Sequence, residues 1–320
     1  MLMLTKFWEG LGGKLAEQWA ARILTPAFAF WTGALAAWVW GNLGDDIRAN
    51  GWTAALQQYT SKLQTLPIAL QVALIVVILL ALVTSAAVAE RLTPPLLRIL
   101  EGYWPARLGG WLQQRNFTRR QAAYSRAGAL AGKRDDVGLT SDEDAKLATL
   151  EHRLRRTPAT QALTMPTRLG NLLRAAEARP RERYGLDTVV CWPYLWLILD
   201  QDTKEELTQT RVALNTATRV WLWGALFAVW TVWAWWALPV AVVVCASTYY
   251  VSMLSAAEVY GDLLEATFAL HRTALYAALR WPPPATPDEE AADGEAVTTY
   301  LWRGIAPVGL KFEVPKQGPP

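Results

Sequence analysis

The sequence predicts an all-α integral membrane protein with four transmembrane helices and a helical cytoplasmic domain. Three observations carry this expectation. Pro67–Ala89 and Val220–Leu238 are uncharged apolar runs of about 20 residues, the length that spans the hydrocarbon core of a bilayer. The chain is 52% apolar with a mean hydropathy of +0.12, too apolar for disorder and less apolar than a bare membrane bundle, so soluble segments must alternate with spans. Tryptophan is abundant, at 18 residues, and its ring with a wet N–H suits the membrane interface.

Residues 1–24 have the pattern of an amphipathic helix. Leu4, Trp8, Leu11, Leu15, Trp19 and Ile23 recur three or four apart, with Lys6, Lys14 and Arg22 among them. Such a helix lies on the membrane or packs on the protein's own soluble part. Residues 25–89 hold transmembrane helices 1 and 2. The first is rich in Trp31, Trp38 and Trp40 and in the small residues Gly33, Ala34, Ala36 and Ala37. The apolar run continues past Ala34-Leu35-Ala36, which favours a retained span over a cleaved signal peptide. The polar connection Gly44–Leu66 has room for a surface helix around Trp52, Leu56, Tyr59 and Leu63.

Residues 90–218 form the cytoplasmic helical domain. Thr93 is a helix cap with Pro94 and Pro95 in the first turn that follows. A second helix is expected over Asn116–Leu130, and Asp135-Asp136-Val137-Gly138 is a turn. Ser141 with Asp144 resembles a capping box for a helix to about Arg156, and Thr167 caps one to about Arg179. Val189–Trp192 is an apolar run too short to define a sheet.

Thr203 and Glu206 repeat the capping-box spacing and open the stretch to Trp281 on which the chain is organised. Residues 219–258 hold transmembrane helices 3 and 4, with Pro239 breaking the run between them, and residues 259–281 continue helix 4 into the cytoplasm. The tryptophans of the third span are expected to face lipid and the interface. Residues 282–320 are a C-terminal tail: Pro282-Pro283-Pro284 ends the preceding helix, and Pro287–Arg303 suggests one more. Four spans place both termini on one side. Arg91, Arg98, Arg107, Arg211 and Arg219 flank the membrane on that side, against Arg48 and Lys62 in the first external loop, so both termini are expected in the cytoplasm of a bacterial inner membrane.

Enzyme motifs are missing. The two histidines, His152 and His271, lie far apart, and no Cys or His pair has zinc spacing. Gly13-Lys14 lacks the rest of a P-loop, and there is no G-x-S-x-G elbow. The expectation is a protein that is not an enzyme and holds no cofactor or metal. A net charge of only +3 gives no indication of nucleic acid. Cys191 and Cys245 are separated by the predicted topology, which argues against a disulfide between them.

Two features remain as candidate sites. Thr248, Ser252, Ser255, Glu258, Asp262 and Glu265 recur three or four apart, and at about 100° per residue they share one helix face. Facing inward in a homo-oligomer, they would line a pore with hydroxyls and ring its mouth with carboxylates. The same hydroxyls also suit close helix packing, and the same acids suit a solvated surface. The second feature is a pair of basic clusters. Arg115, Arg119, Arg120 and Arg126 form one, and Arg174, Arg179, Arg181 and Arg183 the other. Their guanidinium forks match phosphate, so they are candidates for a phosphate-bearing ligand or anionic lipid.

The stretch PTRLGNLLRAAEARPRERYGLDTVVCW (Pro166–Trp192), with Tyr260-Gly261-Asp262-Leu263 and Leu301-Trp302-Arg303-Gly304, resembles segments of uncharacterised bacterial membrane proteins. The order of parts (two spans, a cytoplasmic helical block, two spans, a cytoplasmic tail) is similar to that of bestrophin-type channels, a likeness of topology only. Together these readings lead to an oligomeric membrane pore or ion channel gated through its cytoplasmic domain. The alternative is a membrane anchor or scaffold that recruits a cytoplasmic protein partner to the bilayer.

Overall fold

The computed structural model describes residues 25–44 and 65–312, with residues 47, 51, 57 and 61 between them. The amphipathic segment 1–24, the surface helix expected around Trp52, Leu56, Tyr59 and Leu63, and residues 313–320 lie outside the described residues. Among the described residues the chain is helical and has no strand. The helices are α1 (residues 25–44), α2 (Ile68–Glu101), α3 (Ala106–Asp136), α4 (Ser141–Arg155), α5 (Arg168–Tyr184), α6 (Thr188–Ile198), α7 (Gln201–Phe227), α8 (Ala237–Ser247), α9 (Leu254–Leu279) and α10 (Pro287–Arg303). Three helical runs are long and apolar enough to cross a membrane: Ile68–Glu101, Gln201–Val232 and Ala237–Leu279. Helix α1 is not among them. Trp31, Trp38, Trp40, Gly33, Gly41 and Asn42 lower its hydropathy.

The chain divides into two compact units. One gathers the described residues up to Leu97 with Leu214–Met253, and the other joins Arg98–Ala213 with the residues from Leu254 onward. In the first unit α1 is the central packing element. Gly33 and Gly41 lie so close to Phe227 and Trp233 that a Cβ would come within 2.5 Å of the Phe227 ring and 2.7 Å of the Trp233 carbonyl oxygen. Small residues let backbones approach in this way where no hydrophobic effect drives helices together. Ala27 packs with Ala86, Ala89 and Trp223, and the Trp31 indole donates to Ser85 Oγ at 3.1 Å. Trp223 is buried and tilts over Phe30 at 4.9 Å, while Trp230 stacks on Trp233 at 5.3 Å. The tryptophans therefore divide: Trp235 is exposed, as expected of a lipid-facing ring, but Trp223 faces α1. In the most apolar window of α2 only 11% of residues are buried, which leaves that surface for lipid or another chain to cover.

The second unit is built on α5 and α9. Its core comprises Leu186, Cys191, Leu195, Leu199, Leu207, Leu264, Phe268, Leu275, Tyr276, Trp281 and Val297, with Trp192 and Trp196 packed against it. Helix α5 begins at the end of α2. Thr167 Oγ1 accepts the Gly170 N–H at 3.0 Å and donates to the Glu101 carbonyl at 2.7 Å, so one hydroxyl satisfies both helix ends. Only glycine fits at Gly170, where a Cβ would stand 1.8 Å from that carbonyl oxygen. Buried Asn171 ties the preceding loop, accepting the Met165 N–H at 2.7 Å and donating to the carbonyls of Met165 and Thr167.

Several boundaries differ from expectation, each for a local reason. Helix α2 does not restart at Thr93 but runs through Pro94 and Pro95. The Thr93 hydroxyl bonds back to the Ala89 carbonyl at 2.9 Å, a form of side-chain bonding that helps apolar helices absorb proline. Helix α3 extends beyond Asn116–Leu130 at both ends and stops at the expected Asp136-Val137-Gly138 turn. The α4 capping box is Thr140 with Glu143, one residue before Ser141 and Asp144. Helix α5 passes Pro180 and ends at left-handed Gly185. The Val189–Trp192 run belongs to α6, capped by Asp187 through the N–H groups of Val189 and Val190. Asp200, not Thr203, starts α7, accepting the Thr203 N–H at 2.7 Å. The break between the last two apolar runs comes before Pro239: α7 passes into a 3-10 turn at Ala228–Val232, and Pro239 sits in the first turn of α8, where its missing N–H costs nothing. Between α8 and α9, Thr248–Met253 is a π-helix. Helix α10 has the expected limits, with Gly304 left-handed after Arg303.

The α4 cap gives a pH test. Lys133 and the Thr140 hydroxyl and N–H hold the Glu143 carboxylate, lowering its pKa to about 2 from 4.5. A lowered folded-state pKa contributes stability that is present above the unfolded value and lost as pH falls toward the folded one. The Glu143 carboxyl resonance is expected to titrate near pH 2, and Lys133→Gln to move that midpoint upward, as followed by carbon-detected NMR.

Candidate functional site

The strongest concentration of charge surrounds Glu265 in the second unit. This carboxylate is 5% exposed, and three arginines reach it. Arg155 from the end of α4 pairs with Oε2 at 3.0 Å, Arg183 from α5 pairs with Oε1 at 3.1 Å, and Arg179, also from α5, pairs with Oε2. Arg155 also lies 3.5 Å from Asp262. Arg156, which follows α4, pairs with Glu258 at 2.6 Å. The α9 acids are thus joints to α4 and α5 within one chain. A carboxylate removed from water needs such partners, because desolvation strongly disfavours an isolated charge.

The six residues of the α9 stripe therefore have different surroundings. Thr248 is buried, Ser252 and Ser255 are exposed, Glu258 is half-buried, Asp262 is exposed and Glu265 is buried. The π-helix at Thr248–Met253 fits an additional residue into a turn, so the stripe does not follow one uniform α-helical face.

The two basic clusters also separate. In the second, every member has a carboxylate partner: Arg174 with Glu177 at 3.3 Å, Arg181 with Asp187 at 3.3 Å, and Arg179 and Arg183 with Glu265. In the first, Arg115 lies over the Trp111 ring at 5.3 Å. Arg119, Arg120 and Arg126 instead line a cleft of about 890 Å³. The sequence pattern did not reveal its other walls: His152, Arg153 and Arg156 at the end of α4, and Arg168 at the start of α5. Its lining holds six arginines and no Asp or Glu. Arg120 Nε is fixed on the Thr157 carbonyl at 3.3 Å, and Asn116 donates to the carbonyls of Met165 and Pro166 at the loop that closes the cleft. The seven-residue spacing of Arg119 and Arg126 already put them on one face of α3; what faces them is set by how α4 folds back.

Burial pushes the Cys191 thiol up to about 11, although Thr298 Oγ1 stands 3.8 Å away. Among the described residues no three His, Cys, Asp or Glu side chains group as metal ligands. No family model, curated protein or solved structure matches the chain. The functional reading therefore rests on the residues themselves.

Two predictions follow from this geometry. Glu265→Gln leaves buried Arg179 without its counter-charge, while Arg155 and Arg183 are more than half exposed and can be solvated, so the cost is expected toward the lower end of the about 3–5 kcal/mol for breaking a buried pair. Asp262→Asn removes an exposed pair worth about 1 kcal/mol or less. Denaturant unfolding of the two variants should separate them by that margin. In a Cys245→Ser background, Cys191 should react with maleimide at pH 8 only after denaturation, because about one thiol in a thousand is ionised when the pKa is three units above the pH.

Proposed function

We propose that the protein is a membrane anchor whose helical second unit is held at a bacterial inner membrane and presents binding surfaces to a cytoplasmic partner. The observation that favours this reading over a pore is the pairing of Glu258, Asp262 and Glu265 with arginines of the same chain. Carboxylates engaged in this way supply little free negative charge to a channel mouth. In this proposal α1 is the fourth span. Its 20 described residues alone measure about 30 Å as an α-helix, close to the hydrocarbon thickness. Both termini lie in the cytoplasm, following the basic residues beside the spans. The partner-facing surface is assigned to the exposed apolar side chains Val189 and Leu197 of α6 and Trp302 of α10.

A pore assembled from several copies is the second reading. It is favoured by the exposed hydroxyls of Ser252 within the π-helix and of Ser255 just after it, both in the third apolar run. Such hydroxyls would line a shared path.

Liposomes containing the purified protein should pass K⁺ and Cl⁻ no faster than protein-free liposomes. A photo-crosslinker placed at Leu197 in cells should yield one dominant protein adduct, which Val189→Asp should abolish. Flux that scales with protein and changes on Ser252→Ala would replace the anchor with the pore.

A further inference from the structure

We propose that the α3–α4 cleft binds a phosphate-bearing ligand with at least two negative charges, a phosphate ester or a diphosphate. Arg119, Arg126, Arg153 and Arg168 are the residues that would hold it. This inference goes beyond the anchor reading and does not depend on it.

The cleft is concave, and its charge converges from three elements. Arg119 and Arg126 come from one face of α3, Arg153 from the last turn of α4, and Arg168 from the first turn of α5. Among the described residues these four have no ion pair and no side-chain hydrogen bond, unlike Arg174, Arg179, Arg181 and Arg183 nearby. No acid lines the cleft, and the four guanidiniums are exposed, so only water and mobile ions balance their charge. An anion with several oxygens would offset it, and arginine forks bind phosphate oxygens in pairs. The α5 N-terminus adds a favourable dipole on the Arg168 side. A volume of about 890 Å³ exceeds what a single phosphate needs and falls within the range of about 300–1,000 Å³ for small-molecule sites. Asn116, Thr149 and Thr157 supply neutral polar groups around the charges.

Two sources share this chemistry: a soluble phosphate compound and the headgroup of an anionic lipid. The test uses the full chain in nanodiscs of neutral phosphatidylcholine, titrated calorimetrically with sodium pyrophosphate. Saturable binding is expected, weakened about ten-fold or more by Arg119→Gln with Arg168→Gln, as loss of charged hydrogen bonds requires. It should be unchanged by Arg181→Gln, whose arginine is engaged with Asp187 outside the cleft. In a second arm, the protein is extracted from bilayers containing phosphatidylglycerol, and retained lipid is counted by native mass spectrometry. Retention that pyrophosphate displaces and the double variant loses assigns the site to a lipid headgroup. Pyrophosphate binding without retained lipid assigns it to a soluble ligand. Failure of both arms, or binding that survives in the double variant, overturns the proposal. The double variant should melt no lower than the parent, since its arginines form no internal pair. If it does not fold, Arg119→Lys with Arg168→Lys replaces it. That pair keeps the charge, loses the fork, and should weaken binding while leaving the melting temperature unchanged.

Discussion

The second unit depends on one electrostatic constraint: Glu265 is out of water, and its charge must be met. Three guanidiniums meet it, and each fixes a different part of the chain. Arg155 brings the end of α4 to α9, while Arg179 and Arg183 bring successive turns of α5. The apolar core beneath is generic in its demand for burial. Leu264 and Phe268 would tolerate other neighbours of similar volume. The ion cluster is less permissive, because a helix shifted by one turn would leave a buried charge unpaired. The interlock of Gly170 with the Glu101 carbonyl acts in the same way for backbone, since it admits one approach distance and one register.

Helix ends were largely legible in the sequence, because their causes are local. Thr167 opens α5 through a hydroxyl acceptor and Pro287 opens α10 where a missing N–H costs nothing, and each acts within a few residues, whereas the α5 stop at left-handed Gly185 lies beyond the expected end near Arg179. Where the expectation slipped, two local solutions competed. Thr140 and Ser141 are adjacent hydroxyls with acids three residues ahead of each. The choice of Thr140–Glu143 coincides with Lys133, brought to Glu143 by the α3–α4 turn. The prolines at 94, 95 and 180 misled for the opposite reason. Proline weakens a helix locally, but α2 and α5 are held on both sides of the weak point, with Thr93 and Leu97 buried in α2, and Ala176 against Gly261 before Pro180 and Arg183 on Glu265 after it in α5. Propensity yields to packing there.

The candidate sites were legible as residue sets and not as environments. Helical periodicity places Glu258, Asp262 and Glu265 together, but it is silent on what lies opposite. Their partners, at the end of α4 and on α5, are more than 80 residues away in sequence, and no local pattern reports such pairings. The basic clusters show the same limit from the other side. RLGNLLRAAEARPRERYGLD and the α3 arginines look alike as strings, each a run of cations at helical spacing. Arg174, Arg179, Arg181 and Arg183 meet carboxylates, whereas Arg168 at the head of the same run and Arg119 and Arg126 of α3 line a cleft with no acid in it.

That division separates two uses of the same side chain. An arginine engaged with a carboxylate contributes to the fold and has little charge left for a ligand. Arg119, Arg126, Arg153 and Arg168, with no such partner, add no ion pair to the fold and keep their charge for a ligand. A sequence selected for stability alone would place an acid among them, as it does beside Arg174 and Arg181. Local choices that oppose folding without a compensating contact are the expected mark of a functional surface. In this chain the proposed site, the α3–α4 cleft, has arginines without a partner, whereas the charges of the α9 acids are answered within the fold.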